Sequence, residues 1–125
     1  MGSGTAVVVL ADPAGGDEAA GRVFNALAAA SDFGRRGEDV TVLFQGAGTR
    51  WAALLAGPDH PFHGLYSAVR PWVAGVSDGC STAFAAKDAA IDAGFGLVGG
   101  NTIDGVGELP SLADLAADGY RILTF

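Results

Sequence analysis

The stretch Ala6-Val-Val-Val-Leu-Ala11 constrains the fold more than any other, because it is an unbroken run of β-branched and aliphatic residues only six long. That is strand length, and apolar side chains on both faces require cover on both sides, as in a central strand of a parallel sheet. Asp12-Pro-Ala-Gly-Gly16 breaks the run. Asp17 then reads as the N-cap of a helix reaching about Arg36, with Val23, Leu27, Ala30 and Ser31 on one face and Phe24 and Ala28 beside them. Gly37 ends this helix, and residues 40–44 (Val-Thr-Val-Leu-Phe) form a second strand. The pattern of strand, breaker, helix and breaker then recurs.

Residues 49–56 and 62–69 read as short helices divided by Gly57-Pro-Asp-His-Pro61, and Arg70-Pro71 stops the second. Residues 72–76 are a short third strand. Ser77-Asp78-Gly79 reads as a turn, after which a helix is expected over residues 81–93 with Phe84 and Ile91 on one face. Residues 95–98 form a fourth strand, and residues 99–109 a glycine-rich connection. Ser111 and Asp114 resemble a capping box, Gly119 suits the end of that last helix, and residues 120–125 close the chain as a strand. Alternation of this kind predicts an α/β fold with a mostly parallel sheet and helices on both faces.

At 125 residues, half of them apolar and 17% charged, the chain suits one domain spanning residues 1–125. Met1-Gly2-Ser3-Gly4 carries no fold signal. The net charge of −7, with no basic run, repels nucleic acid and acidic membranes, so neither is expected as a partner. No apolar run reaches membrane-spanning length, and the start lacks the pattern of a secretory signal. A lone cysteine forms no internal disulfide, which fits a cytoplasmic location.

In parallel sheets, ligands and chemistry collect at the carboxyl ends of the strands. Asp12, Gln45 and the turn from Ser77 to Cys80 all fall there. Cys80 follows a strand and opens a helix, where unpaired N–H groups and the helix dipole favour the nucleophilic thiolate. Its neighbours Gly79, Ser81 and Thr82 are small or polar and leave access, whereas Asp78 sets an opposing carboxylate close by. The same position also suits a buried free cysteine packed as a small apolar group. Lys87, seven residues on, reads as part of a solvated face.

Asp59-His-Pro-Phe-His63 has two histidines three apart, but Pro61 lies between them and no third ligand is near in sequence, so a polar loop is the better reading and no metal is expected. A Cys–His pair requires this loop to fold over Cys80. Asp12-Pro-Ala-Gly-Gly-Asp17 matches neither the dinucleotide nor the P-loop pattern and reads as a tight turn. Trp51 and Trp72 suit the core or a subunit interface.

Residues 73–87, Val-Ala-Gly-Val-Ser-Asp-Gly-Cys-Ser-Thr-Ala-Phe-Ala-Ala-Lys, resemble the cysteine-bearing turn and helix of DsrE/DsrF-like proteins. Residues 109–125 look like the closing helix and strand of the same family, and residues 7–12 with Phe24-Asn-Ala-Leu27 are compatible with its start. The resemblance implies a three-layer α/β/α sandwich with about five strands, assembled as a homotrimer or hexamer. It also implies a sulfur carrier without a cofactor, holding a persulfide on Cys80 and passing sulfur between donor and acceptor proteins or small thiols. Asp12, Gln45, Asp78, Ser81 and Thr82 are the candidates to surround it. Ser77 stands three residues before Cys80, so no intramolecular Cys-x-x-Cys chemistry is available. A non-catalytic oligomeric module binding a small molecule or protein on the same fold is the alternative, and a thiol enzyme pairing Cys80 with His60 or His63 is a third reading.

Overall fold

The computed structural model describes residues 4–125, so Met1-Gly2-Ser3 lies outside the described residues. The apolar run forms strand β1 (Gly4–Val9), buried along its whole length as the lack of any polar face requires. It is paired in parallel on both sides, with β2 (Asp39–Phe44) and with the last strand β7 (Tyr120–Thr124). β3 (Val73–Ser77) and the two-residue β4 (Leu97–Val98) extend the sheet beyond β2. The order is β4-β3-β2-β1-β7, and every neighbour runs parallel.

Helix α1 (Gly16–Arg35) lays Val23, Leu27 and Ala30 on Val7, Val9, Val42 and Phe44. Ser31 at the edge of that stripe is only partly buried, and Phe24 is exposed. The helix starts before Asp17. Asp12 instead caps a 3-10 turn over Pro13–Gly15 by accepting from the Ala14 N–H at 2.9 Å. Helices α2 (Trp51–Ala56) and α3 (His63–Val69) add Trp51, Leu55, Tyr66 and Val69 to the same core. Both tryptophans are accommodated within the chain: Trp51 is buried and donates from Nε1 to Ala11 O, and Trp72 packs against the core cluster.

The helix expected over residues 81–93 is two helices, α4 (Asp78–Ala83) and α5 (Lys87–Asp92). Ala85 has φ 54°, and the Ala86 and Ala85 N–H groups donate back to Ser81 O and Thr82 O at 2.7 and 3.2 Å. That pair of bonds is a helix C-cap of the kind glycine usually terminates, here with alanine in the left-handed position. The helical pattern of the sequence continues through this break because alanine is the best helix former. Ala85→Gly is expected to raise stability by about 1 kcal/mol, the left-handed strain removed less the entropy glycine adds. A urea titration checks this, and an unchanged or lower midpoint counts against it.

The glycine-rich connection is an antiparallel hairpin of β5 (Gly100–Ile103) and β6 (Gly107–Pro110). The two strands were not expected from the sequence, although Asp104-Gly105 at the tip, with Gly105 at φ 79°, is a hairpin turn signal. Helix α6 (Leu112–Ala117) follows, with Ser111 Oγ accepting from the Asp114 N–H at 3.2 Å.

The helices after β1, β2 and β3 cover the face that carries Val42, Phe44 and Val76, whereas α6 and the hairpin lie on the face of Thr41, Leu43 and Val98. The result is a three-layer α/β/α sandwich. Among the described residues no helix is long and apolar enough to cross a membrane.

Candidate functional site

Connections change face between β3 and its neighbour β4: the chain leaves β3 toward α4 and α5, and leaves β4 toward the hairpin and α6. Such a switch opens a crevice at the carboxyl ends of the two strands. Cys80 lies there, three residues after the end of β3 and on the first turn of α4. Ser77 is fully buried and is the N-cap, its Oγ accepting from the Cys80 N–H at 3.3 Å. Helix α4 therefore starts at Asp78, where the sequence suggested a turn, and a serine able to cap it was the available signal. With six residues it is also shorter than the helix on which the dipole argument for Cys80 rested.

Cys80 is partly exposed. One of its neighbours, Gly79, is buried against the hairpin, so closely that a Cβ there would stand 3.0 Å from Leu109 Cδ1 and 3.1 Å from Glu108 O. The hairpin thus closes tightly on the first turn of α4 at Gly79. Within the hairpin, Glu108 accepts from the Thr102 hydroxyl and, at 3.0 Å, from the Gly100 N–H. Those two bonds, the hydroxyl's first, hold its carboxyl below the ordinary carboxylate range.

The predicted surroundings of Cys80 divide into three groups. Asp78 and Ser81 are built into α4 itself: Ser81 is buried and donates to Asp78 O at 2.7 Å, and Thr82, exposed, donates to the same oxygen at 3.4 Å. Ser81 and Thr82 also line a groove of about 330 Å³ with Ala85, Lys87 and Asp88. Asp12 stands across the strand ends, and Arg50 ties it to α4. Its guanidinium meets Asp12 Oδ2 at 3.5 Å, donates to Phe84 O at 3.1 Å and lies over the Phe84 ring at 5.5 Å. Gln45 is buried beyond β2, and among the described residues its Oε1 has no hydrogen-bond partner.

Sequence reasoning missed Arg50, which no local pattern distinguishes, and misplaced Lys87. Lys87 is part of the site's electrostatics: the break at Ala85 turns it back so that Nζ meets Asp78 Oδ1 at 2.6 Å. Both side chains are about one-third exposed, so the pair contributes at most about 1 kcal/mol. It nevertheless sets a cation against the carboxylate of the residue that opens α4.

The histidines are occupied elsewhere. His60 Nδ1 accepts from the Phe62 N–H at 3.0 Å, and its ring meets Trp51 and Phe62 edge-on. His63 Nδ1 donates to Leu55 O at 2.8 Å, and Ser67 Oγ lies 3.3 Å from its Nε2. Among the described residues no group of three or more His, Cys, Asp or Glu side chains could hold a metal ion.

No protein-family model, curated protein or solved structure matches this chain.

A second concavity lies away from Cys80. It is a cleft of about 280 Å³ on the α6 face, floored by Thr41, Leu43, Ala74 and Val98 and edged by Asp114 and Asp118.

Proposed function

We propose that this chain is a one-cysteine sulfur carrier that holds a persulfide on Cys80 and hands the outer sulfur to a partner thiol. The observation that carries the reading is the placement of the chain's only cysteine, partly exposed, on the first turn after β3 at the face switch. Ser81 and Thr82, which follow Cys80 on α4, line a polar groove with Lys87 that suits the approach of a donor or acceptor. In the loading step the Cys80 thiolate attacks the sulfane sulfur of a persulfide or polysulfide. A new S–S bond forms, the donor's S–S bond breaks, and the donor leaves as a thiolate that takes a proton from water. Unloading is the same exchange onto an acceptor thiol, so no external oxidant or metal enters either step.

Incubation with inorganic polysulfide is expected to add about 32 Da to the wild type, removable by reductant, and nothing to Cys80→Ser. An unmodified wild type under conditions that load another carrier would end this reading.

The chain is also proposed to assemble as a homotrimer or a multiple of it. Leu10, Leu97, Ile103 and Val106 stand 40–53% exposed, and β4 and β7 leave both sheet edges open for association. Light scattering at micromolar concentration is expected to exceed the 12.5 kDa of one chain, and a monomer mass refutes assembly. The α6-face cleft favours a second reading, a non-catalytic module that binds a small molecule there. Unchanged ligand binding in Cys80→Ser, with no sulfur loading in the wild type, would select it.

A further inference from the structure

We propose that the small cavity between the end of α3 and the start of β3 binds a tetrahedral oxyanion, phosphate or sulfate, held by the Arg70 guanidinium and the Tyr66 hydroxyl. The cavity lies where β3 begins, whereas Cys80 follows the end of that strand, so the site is independent of what the thiol does.

Tyr66 and Arg70 stand four residues apart, so they share one face at the end of α3. With Gly75, Gly94, Phe95 and Gly96 they line a cavity of about 90 Å³. That is the volume of about three waters and well below what an organic ligand needs, so the size selects an ion. Gly75 and Gly94 have φ of 143° and 89°, conformations that favour glycine, and with Gly96 they leave walls from which no side chain projects. A Cβ on Gly94 would stand 3.9 Å from Arg70 Nη2. The charged end of the arginine therefore reaches this wall, and not its stem alone.

Both donors are uncommitted. Among the described residues Arg22, Arg36, Arg50, Lys87 and Arg121 each meet a carboxylate, and Arg35 donates to Ser31 O. Arg70 is the one basic side chain left without an ion pair or hydrogen bond, in a chain of net charge −7. Tyr66 is 5% exposed, its ring stacked on Phe95, and nothing among the described residues hydrogen-bonds its hydroxyl. Nor is that hydroxyl sealed in: among the described residues Gln45 Oε1 alone is a fully enclosed side-chain polar atom without a partner. The hydroxyl therefore opens on the cavity that Tyr66 lines. Burial raises its pKa, with the Arg70 charge opposing, so it stays protonated and able to donate. An arginine fork engages two oxygens and the phenol a third, which a tetrahedral oxyanion supplies and a carboxylate does not.

The test titrates the full chain with inorganic phosphate at constant ionic strength, read by phosphorus NMR line width, with sulfate and acetate as competitors. Saturable binding at about millimolar concentration is expected, displaced by sulfate and about tenfold less well by acetate. Tyr66→Phe and Arg70→Gln should each weaken it about tenfold, the effect of one lost hydrogen bond to a charged group. Without phosphate, the thermal midpoint of Tyr66→Phe should match the wild type, since the ring keeps its stack and the hydroxyl has no partner to lose. Phenyl phosphate tells the sources apart. Weaker binding than inorganic phosphate assigns the free ion, equal binding the phosphate end of a larger molecule, and either supports the site. A wild type that does not saturate overturns the proposal, as do variants that bind like the wild type or acetate that competes as well as sulfate. So does a Tyr66→Phe midpoint several degrees lower, which would show that the hydroxyl already has a partner within the fold.

Discussion

Gly48→Ala is expected to lose at least about 3 kcal/mol of stability, at the upper end of what overpacking causes, and with it the geometry around Cys80. Gly48 sits in the 3-10 turn Gly46–Arg50, pressed against the end of β1. A Cβ there would fall 2.2 Å from Val9 O and 2.8 Å from Val9 C, both backbone atoms. Neither side can yield cheaply. Val9 O accepts from the Gln45 N–H at 2.9 Å, and Gln45 O accepts from the Gly48 N–H at 2.9 Å, so a shift breaks the bonds that join β1 to this turn. The same turn carries Arg50, the tie between Asp12 and Phe84 O at the end of α4. Thermal unfolding should drop by roughly 10 °C or more, and the alkylation rate of Cys80 should change with it. A midpoint within a degree or two of wild type would show that the turn has room to move.

Phe44→Ala is expected to remove about 3–5 kcal/mol, the range for truncating a large aromatic in a packed core. Phe44 has no exposed surface and is the largest fully buried side chain. It meets Phe95 edge-on at 5.9 Å, and Phe95 stacks on Tyr66 at 5.7 Å, so one deletion opens a cavity where β2, α3 and the approach to β4 converge. The surrounding core is fixed by strands on both sides of β2 and cannot collapse into the space. Urea unfolding should show a lower midpoint with an unchanged slope. Ile91→Ala is the contrast: 49% exposed on α5, it should change stability by no more than about 0.5 kcal/mol. Equal losses at the two positions would contradict the burial pattern.

The reading of Ile91 shows where local pattern stops being informative. Phe84 and Ile91 share a face only if one helix joins them, and Ala85 breaks that helix. Nothing in an alanine announces a left-handed residue; the surrounding contacts impose it. Lys87 is brought onto Asp78 for the same reason, seven residues away in sequence and 2.6 Å away in space. Arg50 likewise joins Asp12 and Phe84 across 38 and 34 positions, a span over which no periodicity speaks.

What the sequence by itself determined is the α/β class, the parallel sheet and the place of Cys80. The buried β1, the amphipathic α1 and the breakers between them leave few other ways to cover two apolar faces, and a cysteine just after a strand in such a sheet stands at its carboxyl edge. These are short-range patterns repeated along the chain, and burial enforces them. Only the tertiary structure decided what surrounds that cysteine. The hairpin closes on Gly79, Ser77 caps α4, Lys87 meets Asp78, and Arg50 ties Asp12 to Phe84 O. Each of these depends on which strand ends lie side by side and on which face each connection takes. Long-range packing chooses both, where local propensity is nearly neutral.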